Sequence, residues 1–296
     1  MSNTSFIPII IMGAARSGTN ALRDSLVSLA NFGTWPCDEI NGIWKYRSLS
    51  FGYDNLSQND LSKAKIKYIR TQFTKQFNKL GKPKFLIEKT CANTLRPGFV
   101  SGVFPEAKYI FIIRDGAEVI KSARRRWQGE FEYNLVEYWL KKIKYIPALD
   151  FYHYFYDVAL KRLTKKILRR SELEAWGPTH PTLEKFENEC SLDDLVALQW
   201  SLCVISSWYY FRKMGPDKCI FTSYNELLNN PGGFLFRFET MLGSTFTSTG
   251  DVERFSAGLF SSKKPIEPYV SNHPIIRKYY NCAMKIYYNI NNQLIK

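Results

Sequence analysis

Two short stretches hold residues whose types and spacing suit an anion. In the first, Phe6 to Asn20 (FIPIIIMGAARSGTN), an apolar run enters Gly13, and Gly18 and Thr19 follow with Arg16 and Ser17 in between. Where a strand turns through glycines into a helix, the first helical N–H groups lack intrahelical partners and the macrodipole places positive potential there. Gly13 and Gly18 permit the tight turn, Ser17 and Thr19 add hydroxyl donors, and Arg16 adds a permanent charge. An ATP or GTP loop would carry Lys directly after the second glycine; here Thr19 stands in that place. The second stretch is Lys108 to Trp127 (KYIFIIRDGAEVIKSARRRW), with Arg114 where a strand becomes a helix and Ser122 eight residues later. Ligands of open α/β sheets bind at that carboxyl edge. Both side chains can meet one phosphate there, or Arg114 pairs with Asp115 or another carboxylate and Ser122 is an ordinary helix residue. Two such sites about a hundred residues apart fit a nucleotide with phosphate at both ends of its ribose.

The elements that must position these residues alternate short apolar runs with longer helical patterns. The spacing predicts strands over Ile7–Met12, Lys84–Ile87, Tyr109–Ile113 and Cys219–Ser223. It predicts helices over Thr19–Ala30, Leu61–Leu80, Ala117–Trp127, Asp193–Lys213 and Pro274–Ile290. That rhythm implies an α/β fold with a mainly parallel sheet. The expectation is one domain over residues 1–296, interrupted by a helical insertion at about 128–190. The insertion includes KKIKYIPALDFYHYFYDVALKRLTKKILRR, either a solvated basic helical face or a lid that gathers an acidic or sugar-like acceptor.

Composition narrows the partners without naming one. The 296 residues are 45% hydrophobic and 23% charged, ordinary for a globular protein, and 16% aromatic, which argues against extensive disorder. A net charge of +14 favours an anionic partner: nucleic acid, acidic lipid, acidic glycan or a polyphosphorylated cofactor. No nucleic-acid module accompanies the basic segment. Six scattered cysteines without a CxxC pair, and three isolated histidines, argue against structural zinc; the thiols read most simply as free and intracellular, while their even count leaves disulfides as the alternative. The apolar run from Phe6 is too short for a secretory signal, and no stretch reaches the roughly 18 apolar residues of a membrane span. A soluble cytoplasmic protein is the expectation.

Together the two stretches resemble the sulfotransferases that use 3′-phosphoadenosine 5′-phosphosulfate (PAPS). In that family a GxxRSGT loop holds the 5′-phosphosulfate, and an Arg and a Ser eight apart at a strand end hold the 3′-phosphate; here these are GAARSGTN and IIRDGAEVIKS. Gly116 replaces the proline common after the Asp. The resemblance covers Phe6 to Trp127 and resumes loosely at CIFTSYNELLNNPGG. It implies a P-loop-NTPase-like parallel sheet flanked by helices, with PAPS as donor, 3′-phosphoadenosine 5′-phosphate (PAP) as product and no metal. It assigns the cofactor to Gly13, Ala15, Arg16, Ser17, Gly18, Thr19 and Asn20 of the loop and to Arg114 and Ser122. The Arg-containing loop is most similar to the branch with tyrosylprotein and bacterial glycan sulfotransferases. There a Glu about twenty residues after the loop deprotonates the acceptor, which implies Glu39 as base, with Asp38 adjacent. The (E/D)K(T/S)P segment of the family corresponds to Glu88–Lys89–Thr90–Cys91, with Cys91 in the place of proline. Lys89 would neutralise charge on the bridging oxygen, with Arg16 beside the sulfuryl oxygens, while Glu88 serves the site or braces the strand end. Arg96 contacts the acceptor or only the surface, and Tyr224 and Glu226 contact the nucleotide or brace the fourth predicted strand. Trp127 or Trp200 are aromatic candidates for adenine, and Lys263, Lys264 or Arg277 for closure over the 3′-phosphate. The acceptor is expected to bear a hydroxyl, on a saccharide or glycolipid. The alternatives are a P-loop kinase or NTPase, and a non-catalytic anion- or glycan-binding protein of the same fold.

Overall fold

The computed structural model describes residues 5–48, 52–127, 177–245, 248–260 and 267–295. The first strand, β1 (Ile7–Met12), shows how the sheet is made. Ile9 and Ile11 pack to one side and Ile10 and Met12 to the other, all fully buried. A strand apolar on both faces must lie between two layers, as parallel sheets do. The others are β2 (Phe32–Thr34), β3 (Phe85–Lys89), β4 (Lys108–Ile113) and β5 (Cys219–Ser223). All pairings are parallel, in the order β2-β3-β1-β4-β5.

One face is covered by α1 (Thr19–Val27) through Leu22 and Leu26, and by α8 (Tyr224–Asn229), α9 (Pro231–Leu242) and α10 (Thr249–Ser256) through Leu227, Phe234, Phe238 and Phe255. The other face carries α3 (Lys63–Lys79), α4 (Pro97–Val103), α7 (Leu192–Phe211) and α11 (Pro274–Ile295), with Phe73, Phe99, Trp200 and Ile276 in its core. Short helices α2 (Asn41–Trp44) and α6 (Pro181–Glu184), and α5 (Gly116–Trp127) after β4, complete the numbered helices. No helix among the described residues is long and apolar enough to cross a membrane.

The strand order decides where a ligand can sit. From β1 the chain first builds to one side, through β2 and β3, and then crosses to place β4 and β5 on the other. The loop after β1 is therefore flanked by the ends of β3 and β4, and the crevice outside such a switch point is where open α/β sheets bind ligands.

Several expectations need adjusting. The predicted strand Lys84–Ile87 forms as Phe85–Lys89, so Glu88 and Lys89 lie within it, level with Ile10 and Ile11. The ladder continues through them because both side chains have partners below the surface. The first helix ends at Val27 rather than Ala30, and β2 was too short to show a period. Of the expected insertion, residues 128–176 lie outside the described residues, and 177–190 hold only the single turn of α6.

Candidate active site

The loop between β1 and α1 is shaped by two glycines. A Cβ on Gly13 would lie 2.7 Å from the side chains of Ile112 and Thr19 and 2.9 Å from the Ile112 carbonyl oxygen. Gly18 is the N-cap of α1 at φ 88, in the left-handed region, and a Cβ there would fall 2.2 Å from the ring of Tyr224. Only glycine meets both conditions. Arg16 also lies in the left-handed region, at φ 67, which is uncommon for a residue with a side chain. The Ser17 hydroxyl and Asn20 Oδ1 are buried without a hydrogen-bond partner among the described residues. Buried polar atoms are normally paired, so a loop that orphans two of them beside a helix N-terminus fits a phosphate-like ligand. Ala15 is half-buried beside them.

Towards β4 the loop meets a cationic cluster. Arg16 Nε donates to Ser122 Oγ at 2.9 Å, and Arg114 Nη1 reaches the Arg16 carbonyl at 3.5 Å. Arg114 pairs with Glu118 at 2.5 Å, not with Asp115, and its guanidinium lies over the Tyr224 ring, 4.8 Å from the centroid. Asp115 instead caps α5, accepting from the amides of Ala117 and Glu118. The sequence thus places two guanidiniums and a hydroxyl at one end of the loop.

Towards β3 the loop meets a carboxylate–ammonium pair. Glu39 Oε1 accepts from Lys89 Nζ at 3.4 Å and from the Cys91 amide at 3.2 Å. Burial alone would lower the Lys89 pKa, but the Glu39 carboxylate holds the ammonium above the ordinary lysine range. Thr19 Oγ1 is 3.8 Å from Cys91 Sγ, which ties the start of α1 to this side. Burial pushes the Cys91 thiol up, so it stays protonated. Glu39 borders a shallow recess that Thr34, Trp35 and Asp38 also line. Asp38 itself turns to Arg23, at 3.3 Å.

The arrangement can be compared with known proteins. The pattern that defines the Sulfotransferase family matches residues 8–168, more than half of the chain. The chain belongs to the sulfotransferase family. Comparison with curated proteins gave no match. Among solved structures, sulfotransferase STF9 from Mycobacterium avium is similar at 10% identity and a TM-score of 0.51, over 97% of this chain and 77% of that one. A sulfotransferase from Alicyclobacillus acidocaldarius matches at 11% identity and a TM-score of 0.48, over 98% and 96% of the two chains. Mouse sulfotransferase SULT7A1 complexed with PAP matches at 11% and 0.43, over 98% and 86%. At such identities the likeness concerns the fold alone.

Behind the Glu39–Lys89 pair this sulfotransferase carries a buried polar network. Glu88 is fully buried and accepts from Thr90 Oγ1 at 2.5 Å and Asn93 Nδ2 at 2.9 Å. Burial pushes the Glu88 carboxyl up to about 7, although Thr90, Arg96 and Lys89 favour the carboxylate. The folded sulfotransferase therefore holds this proton more tightly than the unfolded chain, and the stabilisation is complete below 4.5 and lost as pH rises through about 7. Glu88→Gln is neutral throughout and escapes that loss. Its melting temperature relative to the parent should climb by several degrees between about pH 5 and pH 8, read by scanning fluorimetry; a constant difference across that range would contradict the assignment.

Other expectations fall differently. Arg96 is not at the surface: it is buried, with Nε on Asn93 at 2.8 Å, Nη2 on Asn41 at 2.5 Å and Nη1 3.7 Å from Asp54. Trp200 is buried against Tyr280 and Gly116, so its ring is not available for stacking on adenine. The side chain of Trp127, and Lys263 and Lys264, lie outside the described residues. Arg277 is exposed and donates to the Ser271 carbonyl at 2.7 Å. Glu226 braces the strand end, bound by Arg237 at 2.5 and 2.9 Å and by Thr222 at 2.8 Å. Tyr224 follows β5 directly: its hydroxyl donates to the Phe260 carbonyl at 2.8 Å, and its ring lies against Gly18 and under the Arg114 guanidinium. Sequence reasoning placed Thr90 in the family segment around Lys89 but gave it no role.

Proposed function

We propose that this sulfotransferase moves the sulfuryl group of PAPS to a hydroxyl on a saccharide or glycolipid acceptor. The observation that carries the reading is the bracketing of one glycine loop: Arg16, Ser122 and Arg114 at one end, Glu39 and Lys89 at the other. In this reading the loop from Gly13 to Asn20 holds the 5′-phosphosulfate through backbone N–H groups and the hydroxyls of Ser17 and Thr19. Arg114 and Ser122 hold the 3′-phosphate. Glu39 takes the acceptor's proton as its oxygen bonds to sulfur, while the bond from sulfur to the phosphate oxygen breaks and PAP leaves. Lys89, Arg16 and the N-terminus of α1 stabilise the charge on the leaving phosphate and sulfuryl oxygens; donors fixed in advance at such positions are commonly the largest catalytic term. A carboxylate paired with an ammonium is a weak base. Drawing Lys89 towards the donor would raise the basicity of Glu39 as it is needed.

The aromatic and basic composition of residues 128–176 supports a saccharide acceptor, and six free thiols support a reducing, cytoplasmic setting. The donor is tested by ligand-induced stabilisation. With EDTA present, PAP at a hundred times its dissociation constant should stabilise the fold by about 2.7 kcal/mol, seen as a rise in melting temperature. Stabilisation by ATP with magnesium but not by PAP would overturn the reading in favour of a nucleotide triphosphate site. Incubation with labelled PAPS and pooled saccharides, lipids, phenols and peptides, followed by mass spectrometry, identifies the acceptor class.

A further inference from the structure

The backbone just after Glu39 is held by a closed circuit of buried hydrogen bonds. The Ile40 amide donates to Thr90 Oγ1 at 3.1 Å. A hydroxyl has one proton, and Thr90 gives it to Glu88 Oε1 at 2.5 Å, which turns its lone pairs towards Ile40. Glu88 Oε2 accepts from Asn93 at 2.9 Å, Asn93 Oδ1 accepts from Arg96 Nε at 2.8 Å, and Arg96 Nη2 donates to Asn41 Oδ1 at 2.5 Å. Asn41 follows Ile40 in the chain, so the circuit begins and ends on adjacent residues. Asn41 is held further by donating to Asp54 at 3.0 Å. Glu88, Thr90, Asn93 and Arg96 are each at most 1% exposed. Glu39 is meanwhile gripped from the same strand end, by Lys89 Nζ and the Cys91 amide. Three consecutive residues, Lys89, Thr90 and Cys91, therefore fix the base candidate and the amide that follows it.

We propose that Thr90 is a positioning residue for this sulfotransferase: its hydroxyl, oriented by Glu88, anchors the Ile40 amide and so sets where the Glu39 carboxylate stands. The inference rests on Glu39 being the base. Burying charged groups in a fold this size is costly unless each is paired, and a circuit that runs from Glu88 through Asn93 and Arg96 back to residues 40 and 41 uses those contacts to fix one loop. A displacement of about 1 Å at such a group costs on the order of a hundredfold in rate.

The test compares Thr90→Val with Thr90→Ser, and uses Thr90→Ala should the valine variant not accumulate as folded protein. Exchange of the Ile40 amide, followed by NMR or by mass spectrometry of the peptide containing it, should quicken at least tenfold in Thr90→Val and stay near the parent in Thr90→Ser. With labelled PAPS and a mixed saccharide, phenol and peptide pool, kcat should fall about ten- to a hundredfold in Thr90→Val. The KM for PAPS and the affinity for PAP should remain within about threefold, and Thr90→Ser should restore turnover. Unchanged Ile40 exchange, turnover within twofold of the parent, or a loss of PAP affinity as large as the loss in kcat would each overturn the proposal. Turnover that survives Glu39→Gln would instead remove the base on which it rests, and a parent that binds no PAP would remove the donor reading while leaving the exchange result to decide whether Thr90 anchors Ile40.

Discussion

Glu39→Gln is expected to lower kcat by about 10²- to 10⁴-fold, the range that general-base catalysis supplies, while PAP affinity stays within about twofold. The amide keeps an oxygen to accept from the Cys91 amide and from Lys89, so the geometry at the end of β3 should persist. What goes is the ability to take a proton, together with the charge that holds the Lys89 ammonium. Lys89 is only 4% exposed and depends on Glu39 for its raised pKa, so its pKa should fall in the variant and the melting temperature should drop slightly at neutral pH. Measuring transfer from labelled PAPS alongside calorimetric PAP binding separates the two effects. Undiminished turnover would exclude Glu39 as the base.

The second large effect concerns the other end of the loop. Arg114→Ala should weaken PAP binding by about ten- to a hundredfold, as expected for losing a hydrogen bond between charged groups. It should barely alter the binding of adenosine 5′-monophosphate, which has no 3′-phosphate. Ser122→Ala should follow the same pattern more mildly. The substitution is tolerable structurally because Glu118, left behind, is 31% exposed and can be solvated. Equal losses for the two nucleotides would show that Arg114 serves the loop rather than the 3′-phosphate, a result its contact with the Arg16 carbonyl makes worth measuring.

What could be read from the residue order was what is local in it. The strand, glycine turn and helix from Ile7 to Val27, and the junction at Arg114, announce themselves because period and turn chemistry lie within a few residues of each other. β5 was bounded correctly because a polar capping residue follows the apolar run, with Ser223 accepting from the Glu226 amide. The charged pair Glu88–Lys89 read as the outside of a strand because charge usually means solvent; Thr90 and Asn93 on Glu88, and Glu39, fifty residues away, on Lys89, let the strand continue through it. Arg96 misled for the same reason, since Asn41 and Asp54 reach it only after folding. The pairing of Lys89 with Glu39 is non-local too, and entered the sequence reading by family resemblance. Trp200 shows the opposite limit: aromatic character suggested stacking, and tertiary packing on Tyr280 used the ring as core.

The contact between Gly18 and Tyr224 has a consequence for how this sequence can diverge. The ring stands 2.2 Å from where a Cβ at position 18 would be and also lies beneath Arg114. A lineage that gained a side chain at position 18 would need to shed the ring at 224 in the same step, and with it the aromatic face under the guanidinium. Substitutions at 18, 114 and 224 are thus mutually contingent, and descendants of this chain should keep or lose the three together, although they are contributed by three separate strand ends.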